Sequence, residues 1–225
     1  MKTLKMLFAL LFVTLSVLIP FAYSPSPAAV EGKRFTVVID AGHGGIDGGA
    51  VSSDGKVFES EINLKIANKI KERFIAGGFG VIMTRTDENG LYGLMSKGFK
   101  RRDMEERVRR ANSSNADILI SVHLNNYADR SRRGAQVFFR AGDAEGKRLA
   151  DCIQNSLNES VNTDRKYSAL AGDYYILNET KMPSAICECG FLSNEEDLAL
   201  LVTDEHAALI AKTLFSGVVN FFARA

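Results

Sequence analysis

The sequence predicts an α/β protein, a single domain with a mostly parallel, twisted sheet of about six strands and helices on both faces. Three observations predict it. Short apolar runs suited to buried strands alternate with segments whose apolar residues recur at helical spacing. The 225 residues, 46% of them hydrophobic, suffice for one full α/β core, and nothing in the sequence marks a second domain. Chemistry-bearing residues follow the strand runs closely, at the carboxyl ends where open α/β sheets form their sites.

Ahead of the domain, Lys2 and Lys5 precede an apolar run over 6–22, followed by Tyr-Ser-Pro-Ser-Pro-Ala-Ala. That order predicts a secretory signal over 1–28 and an exported, extracytoplasmic protein. The run falls at the short edge of the about 20 residues that span a bilayer. An uncleaved anchor is therefore the alternative and the one route to a membrane, with Ser26 and Ala28 offering cleavage. Residues 29–34 read as a linker and 35–225 as the folded domain. A formal net charge of +1 argues against a general nucleic-acid surface, and the basic run over 97–102 reads as a solvated loop. Three cysteines, Cys152, Cys187 and Cys189, cannot all pair within one chain; Cys187 and Cys189 lie two apart in an apolar strand and are assigned to packing.

The first strand is expected over 35–39. It runs into a loop holding Asp40, His43, Asp47 and five glycines, a backbone stripped of side chains around one imidazole. No helical pattern starts directly after those glycines, which disfavours a dinucleotide fingerprint. A turn is expected at Asp54-Gly55, then a helix from Ser60, which can cap it, to Ala76, closed by Gly77-Gly78, with Glu59 just ahead of it. A second strand is expected over 79–84, an irregular functional loop to residue 100, a helix over 103–113, and a third strand over 116–122 ending on His123. A strand over 134–140, a helix over 143–157, a short strand over 174–177, a buried strand over 184–189 and helices over 195–201 and 205–222 complete the chain, with Asn194 capping the first of these helices.

His43 and His123 thus stand at one edge of the sheet, with Glu59 nearby and Glu188 in the last buried strand. Two histidines and a carboxylate form the ligand set of an open catalytic zinc site, and a second carboxylate can serve as base. Taken singly, a strand-end histidine is more often a structural hydrogen bonder, and a glutamate at a helix start is usually solvated and favoured by the dipole. Glu188 differs, because an unpaired carboxylate between Cys187 and Cys189 is costly. His206, far from any strand end, reads as structural or exposed.

The motifs Asp40-Ala-Gly-His43-Gly-Gly-x-Asp-x-Gly-Ala, Glu59-x-Glu-x-Asn-Leu, Arg107-Val-x-x-Ala-Asn112, Ser121-Val-His123-Leu-Asn125 and Glu188-x-Gly-Phe-Leu-Ser-Asn194 occur in this order. In this the chain resembles the zinc-dependent N-acetylmuramoyl-L-alanine amidases of bacterial cell walls, from Thr36 to about Phe222. The resemblance implies peptidoglycan as substrate, Zn2+ held by His43, Glu59 and His123, Glu188 as catalytic carboxylate, and Glu61 as a neighbour that is no ligand. Ala41, where many relatives have proline, and Cys189 depart from the pattern without removing any of these groups. The 97–102 stretch and the lack of a long helical insertion after Asn126 look more like the spore-cortex members. The compartment expected is a cell wall, a periplasm or the space around a forespore, and targeting is left to the catalytic domain, a retained anchor or a partner protein such as an activator. Asp40 and Asn125 are expected to orient the ligands. Arg85 is expected to pair with Asp87 rather than hold a substrate carboxylate, and Arg107 to pair with a nearby carboxylate. The rival readings are an exported zinc peptidase cutting within the stem peptide, although neither His-Glu-x-x-His nor its inverse occurs, and a non-catalytic wall-binding or activator protein.

Overall fold

The computed structural model describes residues 34–223, so the leader expected over 1–28 lies outside the described residues. Six strands form one sheet: β1 (Thr36–Ala41), β2 (Gly80–Met83), β3 (Ile118–Asn125), β4 (Gln136–Phe139), β5 (Leu170–Ala171) and β6 (Ser184–Phe191). Their spatial order is β2-β1-β3-β6-β4-β5, parallel throughout except where β4 runs against β6. The helices are α1 (Glu59–Ala76), α2 (Phe99–Asn112), α3 (Ala144–Ser160), α4 (Tyr175–Glu179), α5 (Glu195–Leu201) and α6 (Asp204–Ala223).

Side-chain alternation assigns the two faces. Val37, Ile39 and Ala41 join Ile118, Ile120 and Val122 beneath the apolar stripes of α1, α3 and α6, which include Ile66, Ile70, Phe74, Leu149 and Leu214. Val38, Leu119 and Ile186 face the other way, against Val108 and Ala111 of α2 and Ile176 and Leu177 of α4. Cys187 and Cys189 both fall in the first layer, buried and unpaired, and burial pushes both thiols up, so they pack as small hydrophobes.

Four expectations are corrected. Glu59 is the first residue of α1, behind an extended Phe58, so Ser60 lies inside the helix and does not cap it. Residues 174–177 do not form a strand. Tyr175 onward is the short helix α4, tied off by Thr180 Oγ1 donating to the Ile176 carbonyl (2.7 Å), and the edge strand is Leu170–Ala171. Helix α2 starts at Phe99 rather than Asp103, which takes much of the basic run into its first turn. β3 and β6 each run past their expected ends, because they pair with each other through His123 and Glu188 to Asn125 and Phe191.

Candidate active site

The carboxyl ends of β1, β3 and β6 are adjacent, and each delivers one group. Beyond β1, the Gly42 N–H donates to the Val122 carbonyl (3.0 Å), which pins the loop against β3 one residue before His123. A Cβ on Gly42 would lie 2.3 Å from the His123 ring, so only glycine lets the two strand ends meet. His43 follows with φ 60, a left-handed conformation uncommon for a side-chain-bearing residue. Its Nδ1 meets Asp47 Oδ2 at 2.9 Å, and its Nε2 lies 3.3 Å from Glu59 Oε1. His123 Nδ1 approaches the same Glu59 oxygen at 3.0 Å, and the two imidazoles stand edge to face, 5.0 Å apart.

Glu59 is fixed by its backbone surroundings. Oε1 accepts from the Leu124 N–H (3.1 Å) and Asn63 Nδ2 (3.2 Å), and Oε2 accepts from the Ala50 N–H (2.9 Å). Burial raises its pKa, and the hydrogen bonds and charges of His123 and His43 overturn that, holding the carboxyl far below the ordinary range. For His43, burial favours the neutral ring, yet Glu59 and Asp47 together raise its pKa. Among the described residues, His43, Glu59 and His123 each offer a ligand atom, all within 4.8 Å of one another. Two imidazoles and a carboxylate of this kind suit a divalent metal with an open position.

Glu188 sits beside this trio, in register with His123 across the β3–β6 ladder. Its Oε2 is buried with no hydrogen-bond partner. Burial pushes its carboxyl up to about 7; the positive potential of His123 opposes that, and Glu59's negative charge adds to it. An acid of this kind exchanges a proton near neutrality. A solvent-open cleft of about 330 Å³ is lined by Val51, Ser53, Asn126, Tyr127, Arg130 and Ser193, and none of the four site residues lines it.

The other residues singled out in the sequence fall as follows. Glu61 is exposed and outside the cluster. The Asn125 carbonyl accepts from the Leu192 N–H (2.8 Å), which ties the two strand ends together. Asp40 does not orient an imidazole. Its carboxylate takes Arg107 Nη1 (2.7 Å), Thr84 Oγ1 (2.6 Å) and Ser121 Oγ (2.6 Å). Arg107 pairs with Asp40 and Asp103 as expected; Arg85 is buried, and its contact with residue 87 is to the Asp87 carbonyl rather than the carboxylate (2.8 Å). His206 lies in α6, half-buried, where burial lowers its pKa against the pull of Asp197. Sequence reasoning gave no role to Asp47, the partner of His43, although its four-residue spacing was a signal. It also missed Asn63 and Lys100, whose Nζ pairs with Asp47 Oδ1 at 2.9 Å.

Asp40 yields a stability prediction. Burial raises its pKa, but Arg107, then Ser121 and Thr84, bring it down to about 2 from an ordinary 3.8. A depressed carboxyl stabilises the fold above its unfolded pKa, and this contribution, on the order of 2 kcal/mol, is lost as pH falls from about 4 toward 2. Denaturant titrations across that window should show the loss in the wild type and a flatter profile in Asp40→Asn, which is also less stable at neutral pH.

A family model described as N-acetylmuramoyl-L-alanine amidase matches residues 37–220. The chain belongs to that family. The enzyme is 35% identical over 232 aligned positions to the germination-specific N-acetylmuramoyl-L-alanine amidase of Bacillus subtilis, covering 98% of this chain and 96% of the relative. The CwlD amidase of Clostridioides difficile, solved in complex with the GerS lipoprotein, superposes with a TM-score of 0.83 at 32% identity, over 85% of this chain and 100% of that one. An N-acetylmuramoyl-L-alanine amidase from Clostridium difficile 630 gives a TM-score of 0.74 at 27% identity, over 84% of this chain and 97% of that one. The amidase is thus a hydrolase by family, and its sheet is the family's sheet.

Proposed function

We propose that this amidase hydrolyses the bond between N-acetylmuramic acid and L-alanine in peptidoglycan with Zn2+ held by His43, Glu59 and His123, and with Glu188 carrying the proton. The observation that supports this most is the convergence of those three donors within 4.8 Å beside a carboxylate raised to about 7, in a chain of this family. When bound, the ion supplies Lewis acidity that brings the pKa of a coordinated water from 15.7 to about 7. Asp47 holds His43 Nδ1, which leaves Nε2 facing Glu59 and the site. Glu188 takes the proton from the attacking water as it adds to the lactyl carbonyl carbon. The carbon–nitrogen bond then breaks, and Glu188 returns that proton to the leaving nitrogen of L-alanine.

The protein acts outside the cytoplasm, on spore-cortex peptidoglycan. The likeness to a germination-specific amidase supports this, as does the short connection between β3 and β4 over residues 126–135. The complex of the Clostridioides difficile relative with a lipoprotein supports a protein partner of that kind for this chain too.

The test is to strip the protein with a chelator and assay release of stem peptide from cortex and vegetative peptidoglycan. Activity should disappear, return with Zn2+, and be higher on cortex. Full activity after metal removal would refute the reading. Gly42→Ala provides a second check, since the added Cβ displaces the His123 ring. Zinc affinity should fall roughly 10- to 100-fold, the range seen when ligand support is disturbed, as read by competition with a chromophoric chelator.

A further inference from the structure

Two buried guanidinium groups take up the backbone carbonyls that precede and include His43. Arg107, 1% exposed, donates through Nη1 to the Ala41 carbonyl (2.7 Å) and through Nη2 to the His43 carbonyl. Its charge is met by Asp40 and, through Nε, by Asp103. Arg85, 2% exposed, donates through Nε to the Ala41 carbonyl (2.8 Å) and through Nη2 to the carbonyls of Gly42 (3.0 Å) and Ser60 (2.8 Å). Three successive carbonyls, 41 to 43, are thereby held by two cations whose charges Asp40 and Asp103 balance. Asp103 also accepts from the Leu91 N–H. The segment so anchored closes over the histidine loop through Gly45 N–H to the Glu88 carbonyl (2.6 Å) and Ile46 N–H to Tyr92 Oη (3.0 Å).

Burying two cations is a poor way to stabilise a fold, because desolvation offsets most of the Coulomb gain. It is an effective way to impose one backbone geometry. His43 holds φ 60, a conformation that a residue with a side chain rarely adopts and that persists only where the surroundings over-determine it. A guanidinium fork can serve several acceptors at fixed angles, which a lysine ammonium cannot.

We propose that Arg107, with Arg85 behind it, is a positioning residue for metal binding. Together they hold the carbonyls of residues 41–43, and with them His43 in its left-handed conformation, so that the His43 imidazole is aimed at Glu59 and His123. Metal affinity then depends on a cation that contacts no metal. This inference rests on the reading of His43, Glu59 and His123 as ligands.

The experiment measures zinc affinity of the folded protein by chelator competition, together with thermal melting of the metal-free form, for wild type, Arg107→Lys and His43→Ala. Arg107→Lys should fold, melt cooperatively and bind zinc 10- to 100-fold more weakly, a loss that a merely structural arginine would not produce among folded molecules. A folded Arg107→Lys with wild-type affinity overturns the inference, while His43→Ala in the same series still loses zinc. Wild-type affinity in His43→Ala instead overturns the ligand reading and this inference with it. If Arg107→Lys does not fold, Arg85→Lys is read the same way. Failure of both to fold also overturns the inference, because the pair would then support the fold as a whole.

Discussion

Glu188→Gln is expected to lower turnover by roughly 10²- to 10⁴-fold, the usual worth of a positioned proton carrier, while zinc binding stays within about twofold of wild type. Glutamine keeps the shape and cannot exchange the proton. The same change should not destabilise the metal-free protein, because the carboxylate it removes has an oxygen buried without a partner. The sign follows from the raised pKa. A carboxyl at about 7 in the fold, against an ordinary 4.5, favours the folded state fully only below its unfolded value. That contribution, on the order of 3 kcal/mol, fades as pH rises toward and through about 7. Denaturation of the metal-free wild type should show the decline, and Glu188→Gln should show a flatter curve. An unchanged turnover would remove Glu188 from the chemistry.

Glu59→Gln is expected to abolish zinc binding and, with it, activity. One carboxylate here faces donors on every side: two backbone N–H groups, the Asn63 amide and two imidazoles. An amide puts an N–H2 among them, leaving at least one buried donor opposed, at a cost of about 1 to 3 kcal/mol. Wild type at 100 times its dissociation constant for zinc gains about 2.7 kcal/mol on loading, read as a rise in melting temperature. The variant should show no rise. A normal rise would take Glu59 out of the ligand set.

Much of this site was legible because the strands announce themselves. Residues 35–39, 116–122 and 184–189 are near-continuous apolar runs, as strands buried on both faces must be, and each is followed or interrupted by a histidine or a carboxylate. Residues 174–177 were misread because four residues with two tyrosines and an isoleucine carry no period, and a five-residue helix shows none either. The arginine clamp was hidden for a different reason. The buried stripe of α2 is Asp103, Arg107, Val108 and Ala111, so its inward face carries charge where a pattern reader expects apolar residues. Asp40 went wrong in the same way. A metal-bound imidazole usually donates its other N–H to an oxygen acceptor, which made Asp40 an expected partner, yet alternation along β1 turns its side chain toward the α2 face, where Arg107 takes it.

The central claim is which bond is cut. Purified peptidoglycan digested with the zinc-loaded protein, with and without chelator, should be separated and read by mass spectrometry. Intact stem peptides bearing a free L-alanine amino terminus, together with glycan strands whose lactyl groups end in a free carboxyl, are the predicted products, and chelator should remove both. Fragments cut between amino acids within the stem would contradict the account and make the protein a peptidase. Zinc-loaded protein that binds the wall but releases nothing, with or without a lipoprotein partner, would contradict it as well.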